Sequence, residues 1–399
     1  MSDRKKAVIV GAGIGGLAAG LALSRAGWDV EVLEQAAVIS EVGAGLQISP
    51  NGVRALQALG VMDVLQPSLF EPESISLSMG ISGRRVFDLP MKGYAQGRWG
   101  APFFQVHRAD LQDALKTQLG KEAGLVIRTN AKATGYVRER GGASVYLERG
   151  ERVFGDVVIG ADGLHSVIRE QITGPDRARF TGNVAWRAVV PLADLGTAAP
   201  PPSGCVWAGD RKHAVTTRIR GGSLVNFVGV VEQADWQEES WSRTGDRADA
   251  LRDFAGWVPH ITAVIEAAPA LNRWALFDRP ALATWSDGPV TLLGDAAHPM
   301  LPSMAQGAVQ ALEDAVILAG CLVAETDLLA ALQRYYAVRI DRVSRIQRRS
   351  ADNLALFHKS GWANKIAAYA PIWAAGKLSP ALIHARQDWI YGYDPTAAL

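Results

Sequence analysis

Four small or β-branched residues, Ala7-Val8-Ile9-Val10, feed directly into Gly11-Ala12-Gly13-Ile14-Gly15-Gly16, and few folds accept that junction. A short apolar run of this kind reads as a strand buried in a parallel sheet. Each glycine then answers a separate steric need. Gly11 permits the tight turn, Gly13 lets a pyrophosphate approach the backbone, and Gly16 lets helix and strand pack closely. Leu17, Leu21 and Leu23 space a compact helix that ends near Ala26-Gly27, and Val30-Glu31-Val32-Leu33 resumes as a second strand. The helix amino terminus faces the phosphates. Glu34 closes the second strand where a carboxylate can accept hydrogen bonds from ribose hydroxyls, with Gln35 beside it; the same charge would repel a 2′-phosphate. The order strand, glycines, helix, strand, acid predicts a nucleotide site built on Gly11, Gly13, Gly15, Gly16, Glu34 and Gln35.

That fingerprint alone does not separate a resident FAD from a visiting NAD, and two distant segments bear on the choice. Asp156-Val157-Val158-Ile159-Gly160 is another buried strand, ending in Ala161-Asp162-Gly163, with Ser166 placed to start a helix that carries Arg169. Val290-Thr291-Leu292-Leu293 ends likewise in Gly294-Asp295 and leads through Pro302 and Gln306-Gly307 into a helix with Val309, Leu312, Val316, Ala319 and Val323 at helical spacing.

At these residues the chain resembles the aromatic-hydroxylase family of FAD monooxygenases, in its salicylate and 3-hydroxybenzoate hydroxylase branch, over most of its length. The resemblance implies an α/β fold like that of 4-hydroxybenzoate hydroxylase: a Rossmann-like FAD-binding domain, a β-sheet-rich substrate domain and a C-terminal helical region. It implies that Asp162, Gly163 and Arg169 contact FAD and serve NAD(P)H use, and that Gly294 and Asp295 hold the ribityl and pyrophosphate region. Arg108 would lie beside the FAD, and the segment Gly43 to Asn51, which contains Gly45, would touch the flavin. A helix starting at Gln306-Gly307 would aim its positive end at the flavin and stabilise the anionic reduced ring. The chain has no second glycine fingerprint, so NADH or NADPH would visit transiently.

The family chemistry is reduction of bound FAD by NAD(P)H, reaction with dioxygen to a flavin hydroperoxide, and hydroxyl transfer to a small phenolic or heteroaromatic acid. Pro302 matches a family proline next to the reactive flavin carbon. His213, in a segment resembling the family's substrate-contacting strand, is the candidate base for the ring hydroxyl; a surface or hydrogen-bonded histidine is the plain alternative. Several relatives carry tyrosine four residues on, where this chain has Thr217. Gln47, Thr217 and Met304 are the further substrate candidates, and Met300, Ser303 and Met304 replace bulkier groups at the pocket-side turn. Trp186, Trp207, Trp236, Trp241, Trp257, Trp274 and Trp285 could line an aromatic pocket, although most are expected to be packing.

Three units follow, the first two discontinuous: residues 1–70, 100–173 and 289–330 for FAD, 71–99 and 174–288 for substrate, and 331–399 as helices. From Leu328 an amphipathic helix is expected, with Arg339, Arg342, Arg345, Arg348 and Arg349 as a solvated or dimer-facing stripe. The closing segment Asp388 to Asp394 matches the same branch and is expected over the interdomain cleft. A net charge of +1 over 399 residues argues against nucleic acid or anionic lipid as partner. Two widely spaced cysteines and no paired histidines predict neither disulfide nor metal. The polar amino terminus, and Glu313 and Asp314 inside the longest apolar helix, predict a cytoplasmic monomer or homodimer with no membrane span. An FAD reductase or dehydrogenase of the same fold and a non-catalytic flavin-binding protein remain the rival readings.

Overall fold

The computed structural model describes residues 4–39, 45–175, 178–233 and 243–398, so that Gly43, Ala44, Trp236 and Trp241 lie outside the described residues. Two large sheets organise the chain. The first has six strands in the order Ser286–Asp287, Val290–Leu292, Val157–Gly160, Lys6–Val10, Asp29–Leu33 and Leu125–Arg128. All neighbours are parallel except the edge pair at Ser286. Strand Lys6–Val10 sits at its centre with Val8 and Ile9 fully buried, because helix Ile14–Arg25 and other cover close both faces of a parallel sheet. Register then decides what meets: Val10 is opposite Gly160, and Gly160 is opposite Leu292. The glycine turn, the Asp-Gly turn and the Gly-Asp turn therefore emerge side by side at the carboxyl ends of three adjacent strands, where open α/β sheets bind ligands.

The second sheet has eight strands, in the order Arg243–Thr244, Asn272–Asp278, Arg179–Pro191, Leu224–Glu232, Lys212–Ile219, Gly204–Gly209, Ser74–Met79 and Arg85–Pro90. One face packs on helices Arg247–Asp253 and Pro259–Ala267 through Trp186, Phe227, Phe254, Trp257 and Ile261. Because side chains alternate along a strand, His213, Val215 and Thr217 share the opposite face with their cross-strand partners Val230, Val228 and Asn226. That face looks toward the nucleotide-type sheet.

Helices Gly307–Ala324 and Leu328–Phe357 join the two halves. The first is apolar and long enough to cross a membrane, yet two-thirds of it is buried inside the fold. It also carries two carboxylates. Glu313 and Asp314 are completely buried and meet Arg339: its Nη1 lies 2.5 Å from Glu313 Oε2, and its Nε lies 2.6 Å from Asp314 Oδ1. Arg342 Nη2 reaches Glu313 Oε1 at 2.8 Å. The expected solvated stripe is thus corrected at Arg339 and Arg342. Arg339 follows Tyr335 and precedes Val343 by one helical turn each, on the buried face, and the two acids inside the neighbouring helix supply the compensation a buried guanidinium requires.

Of the tryptophans singled out in the sequence, Trp186, Trp207, Trp257, Trp274 and Trp285 are buried packing groups, and none of these five lines the central cavity.

Candidate active site

Between the two sheets lies a cavity of about 470 Å³. Its cofactor-side wall is built from turns: Gly13 and Gly15 from the first, Ala161 and Gly163 from the second, and Gly294 and Asp295 from the third. Gly11 and Gly16 stand behind that wall and make it possible. Gly11 has φ +102°, and a Cβ there would lie 2.5 Å from the Ala161 carbonyl oxygen, while one on Gly16 would lie 1.9 Å from the Gly11 carbonyl oxygen. Gly13, by contrast, has open space where its Cβ would be. Ile14 begins the helix at this point, so its unpaired N–H groups face the same opening.

Glu34 and Gln35 lie at the end of the second strand and outside the cavity wall. The Glu34 carboxylate accepts the N–H of Ala12 at 2.9 Å and that of Ala36 at 2.8 Å, which stiffens the glycine turn from beneath. Gln35 is exposed. Asp162 also turns inward: its carboxylate accepts from the Ser166 hydroxyl at 2.5 Å and from the Ile168 N–H at 3.3 Å. Burial raises its pKa, and those hydrogen bonds oppose the rise. Arg169 is buried and donates to the carbonyls of Leu164 at 2.5 Å and Ala296 at 3.1 Å, so it clamps the second turn to the third.

Asp295 lines the cavity floor, with its side chain exposed to the open space. Burial raises its pKa, against the charges of Arg108 and His298. Arg108 opens helix Arg108–Leu119 and lines the cavity. The third turn is held from behind by Asp314, whose Oδ2 accepts the Gly294 N–H at 2.9 Å and lies 2.6 Å from His298 Nε2. His298 is therefore a structural member of the turn.

Beyond Asp295 the chain makes a 3-10 turn over Pro302–Met304, passes Ala305 at φ +52°, and enters helix Gly307–Ala324. A left-handed non-glycine residue is uncommon, and here it reverses the chain so that Gly307 and Ala308 face the cavity. Gln306, completely surrounded, lies behind the wall and donates to Ser49 Oγ at 2.9 Å while accepting from Asn51 and Gln310. Pro302 and Met304 line the cavity; Asn353 donates to the Met304 sulfur.

The substrate-side wall is the open face of the eight-stranded sheet. His213, Val215 and Thr217 contribute from one strand, Asn226, Val228 and Val230 from the next, and Gln47 from the short strand Gly45–Ile48. Asn226, which the sequence reading did not single out, donates to Thr217 Oγ1 at 3.1 Å and accepts the Gly45 N–H at 2.8 Å. A Cβ on Gly45 would lie 2.7 Å from Asn226 Cγ, so glycine is needed where the strand meets this amide. A lone polar residue inside the apolar run Leu224 to Val231 was the available signal. Trp389, Ile390 and Tyr391 close the cavity from the C-terminal segment.

His213 is 2% exposed, and burial, aided by the charge of His358, holds its pKa well below the usual imidazole range. Its Nδ1 lies 2.7 Å from His358 Nε2, which leaves Nε2 for a ligand in the cavity. Among the described residues no group of three or more His, Cys, Asp or Glu side chains is arranged to hold a metal.

The steric cradle at Gly11, Gly13 and Gly16, two helix amino termini on one opening, and an acid on its floor fit a bound FAD. Residues 4–350 match a family model described as an FAD binding domain. A 3-amino-4-hydroxybenzoate 2-monooxygenase of Streptomyces platensis is 36% identical, across 90% of this chain and 89% of that protein. A 3-hydroxybenzoate 6-hydroxylase of Polaromonas naphthalenivorans is 35% identical, across 97% and 96% respectively. The solved structure of Klebsiella pneumoniae HpxO with FAD and uric acid superposes with a TM-score of 0.86 and 27% identity, covering 98% of each chain. With its three nucleotide-facing turns in one register and these relatives along nearly its whole length, the chain belongs to the FAD-dependent aromatic-hydroxylase family.

Proposed function

We propose that the protein is an NAD(P)H-dependent FAD monooxygenase that hydroxylates a small phenolic or heteroaromatic acid. The observation that carries this reading is one continuous cavity with the glycine turns and Asp295 on one side and the buried, neutral His213 on the other. Held by the glycine turns and Asp295, FAD would supply the redox and oxygen-activating chemistry, with NAD(P)H as the source of reducing equivalents. The residues of the chain bind, orient and shield. The helix starting at Gly307 puts its positive end on the cofactor side of the cavity, where negative charge on a reduced ring system is stabilised. Apolar Val215, Val228, Leu301 and Ile390 exclude water and present a flat ring to the cofactor. His213 Nε2 accepts the proton of the ring hydroxyl, which makes the ring a better nucleophile. Arg187, Arg349 and Arg386 also line the cavity and suit a carboxylate on the substrate.

The test is NADH and NADPH oxidation by FAD-loaded protein across hydroxybenzoates, aminobenzoates and hydroxypyridine acids, with dioxygen uptake, hydrogen peroxide and product followed together. Stimulated oxidation with stoichiometric hydroxylated product is expected. If no ring stimulates oxidation, or every ring yields only peroxide, the hydroxylase reading fails.

Asp295 gives a separate test of the cofactor side. Asp295→Ala is expected to keep the far-ultraviolet circular dichroism of the parent and to weaken FAD retention about 10–100-fold, the range for losing a hydrogen bond to a charged group. Unchanged FAD content after gel filtration would remove Asp295 from the cofactor site.

A further inference from the structure

The histidine on the cavity wall is the inner end of a chain of proton-bearing groups that reaches the protein surface. Its Nδ1 lies 2.7 Å from Nε2 of His358, and Nδ1 of His358 lies 3.1 Å from Oε1 of Glu232. Exposure rises outward. His213 is 2% exposed and His358 7%, whereas 32% of the Glu232 side chain reaches solvent. We propose that His213, His358 and Glu232 form a proton relay that carries the proton of the substrate's ring hydroxyl from the buried sheet wall of the cavity to solvent, with His358 and Glu232 as its positioning residues. This rests on the hydroxylase reading above and adds the route by which the base is discharged.

The polarity of the chain is set from its outer end. Glu232 is partly buried, which by itself would raise its pKa, but hydrogen bonds from Arg211 and His358 hold it below the usual range. Arg211 Nε donates to Glu232 Oε2 at 2.7 Å, leaving Oε1 as an acceptor for His358. A carboxylate can only accept, so Nδ1 of His358 must carry the hydrogen. Burial lowers the pKa of His358, against the pull of Glu232, so the ring is neutral above the usual imidazole range and its Nε2 is a lone-pair acceptor. Nδ1 of His213 must then be the donor, and its Nε2 presents a lone pair to the cavity. One acidic side chain at the surface thereby fixes the tautomer of a histidine two groups away.

The transfer balances without any further reagent. The substrate O–H bond breaks and an N–H bond forms at His213 Nε2. The hydrogen on His213 Nδ1 passes to His358 Nε2, the one on His358 Nδ1 passes to Glu232, and Glu232 releases it to water. Both rings end in the opposite tautomer, and a proton returning along the same path when product is reprotonated restores them.

The surroundings hold this geometry, and among the described residues the ring nitrogens have no competing partner. The hairpin turn at Asp210-Arg211 has Arg211 at φ +56°, and its N–H donates to the His358 carbonyl at 3.2 Å. Asp210 accepts the Gly361 N–H at 3.1 Å and pairs with Lys365 at 2.9 Å. Lys212 donates to the Asp253 carbonyl, and the Tyr369 hydroxyl donates to the Leu356 carbonyl, so both are engaged elsewhere. Phe357 packs on the His213 ring at 5.2 Å between centroids. The charged residues that line the cavity are Arg108, Arg187, Arg349, Arg386 and Asp295. The cations outnumber the one acid, a balance that favours an ionised substrate and disfavours a protonated His213.

The test combines tautomer with kinetics in FAD-loaded protein labelled with 15N-histidine. At pH 7.5 the ring nitrogens of His213 and His358 are both expected to show the neutral, Nδ1-protonated pattern. In Glu232→Gln, whose amide can donate as well as accept, a fraction of the Nε2-protonated form is expected in both rings. With 3-hydroxybenzoate as the probe ring, Glu232→Gln and His358→Gln are expected to lower kcat for NADH oxidation about tenfold, less than the roughly 10²–10⁴-fold for loss of a base that touches substrate, because both act through His213. KM should change little, and the solvent isotope effect on kcat should rise. An Nε2-protonated ring at either position in the wild type, or an unchanged pH profile and isotope effect in both variants, would overturn the relay. Failure of the wild type to respond to any ring of the panel would instead sink the hydroxylase reading, while the tautomer pattern would still decide whether the chain of protons is wired as described.

Discussion

Replacing Arg339 with methionine will destabilise the fold by about 3–5 kcal/mol near neutral pH, because a buried carboxylate stripped of its partner keeps its desolvation penalty and loses the attraction that offset it. Glu313, Asp314 and Arg339 have no exposed side-chain surface, and Arg342 has 8%. Methionine preserves much of the volume, so the loss reads the charge rather than a cavity. The pH dependence gives the sign. Burial pushes the Asp314 pKa up, but His298 and Arg339 prevail and hold it at about 2 in the folded chain. Its folded value is depressed, so its contribution is present above the unfolded value near 4 and is lost as pH falls from there toward 2. In the Arg339→Met chain that balance reverses, and the two acids gain by taking up protons. The stability deficit should therefore be largest at pH 7.5 and shrink toward pH 5 in urea unfolding. A deficit under about 1 kcal/mol, or one independent of pH, would show that the network contributes little. Since Asp314 also holds the Gly294 N–H, FAD retention should fall with stability.

The parts of this site that could be read from the sequence are those whose demands are local. A Cβ on Gly16 collides with Gly11, five residues away, and strand, glycine turn and helix follow one another without interruption, so the nucleotide cradle is written in a single stretch of chain. His213 and Thr217 were legible only through the family resemblance of their segment; the structure adds that, four residues apart on one strand, they share a face. Asn226 offered only its polarity inside an apolar run, and His358 and Glu232 offered no signal, because their contacts exist only across strands and between the sheet and the end of a helix. Arg339 lies between these cases. Its helical phase with Tyr335 and Val343 was visible in the sequence, as were two acids in an otherwise apolar helix, but each was weighed alone. Only their juxtaposition turns two anomalies into a compensated network. Residues such as Arg169 and Gln306 illustrate the reverse: the turns they belong to line the cavity, while their side chains are spent on holding those turns in place.

The largest expected effect on turnover belongs to His213. With glutamine there, shape and some hydrogen bonding are kept but no group can accept a proton, and kcat for hydroxylation should fall about 10²–10⁴-fold at pH 7, the contribution of a positioned base. The pH profile discriminates this from a loss of packing. Burial first, and second the charge His358 takes up at lower pH, hold the pKa of the native ring well below the usual range, so it is neutral and able to accept a proton throughout the neutral range. A group whose folded pKa lies well below 6.5 does not titrate between pH 6.5 and 8.5, so the wild-type rate should be nearly flat in that window. Without the base, the reaction must wait for a ring hydroxyl that has lost its proton to water. The variant's rate should then climb about tenfold per pH unit toward the ordinary phenol range near 10. A rate lowered equally at every pH would mean that His213 only shapes the wall, and an undiminished rate would mean that the ring hydroxyl is activated from another side of the cavity. The first result would leave His213 and His358 as a tether between sheet and helix; the climbing profile would make His213 the base whose proton His358 and Glu232 are placed to pass on.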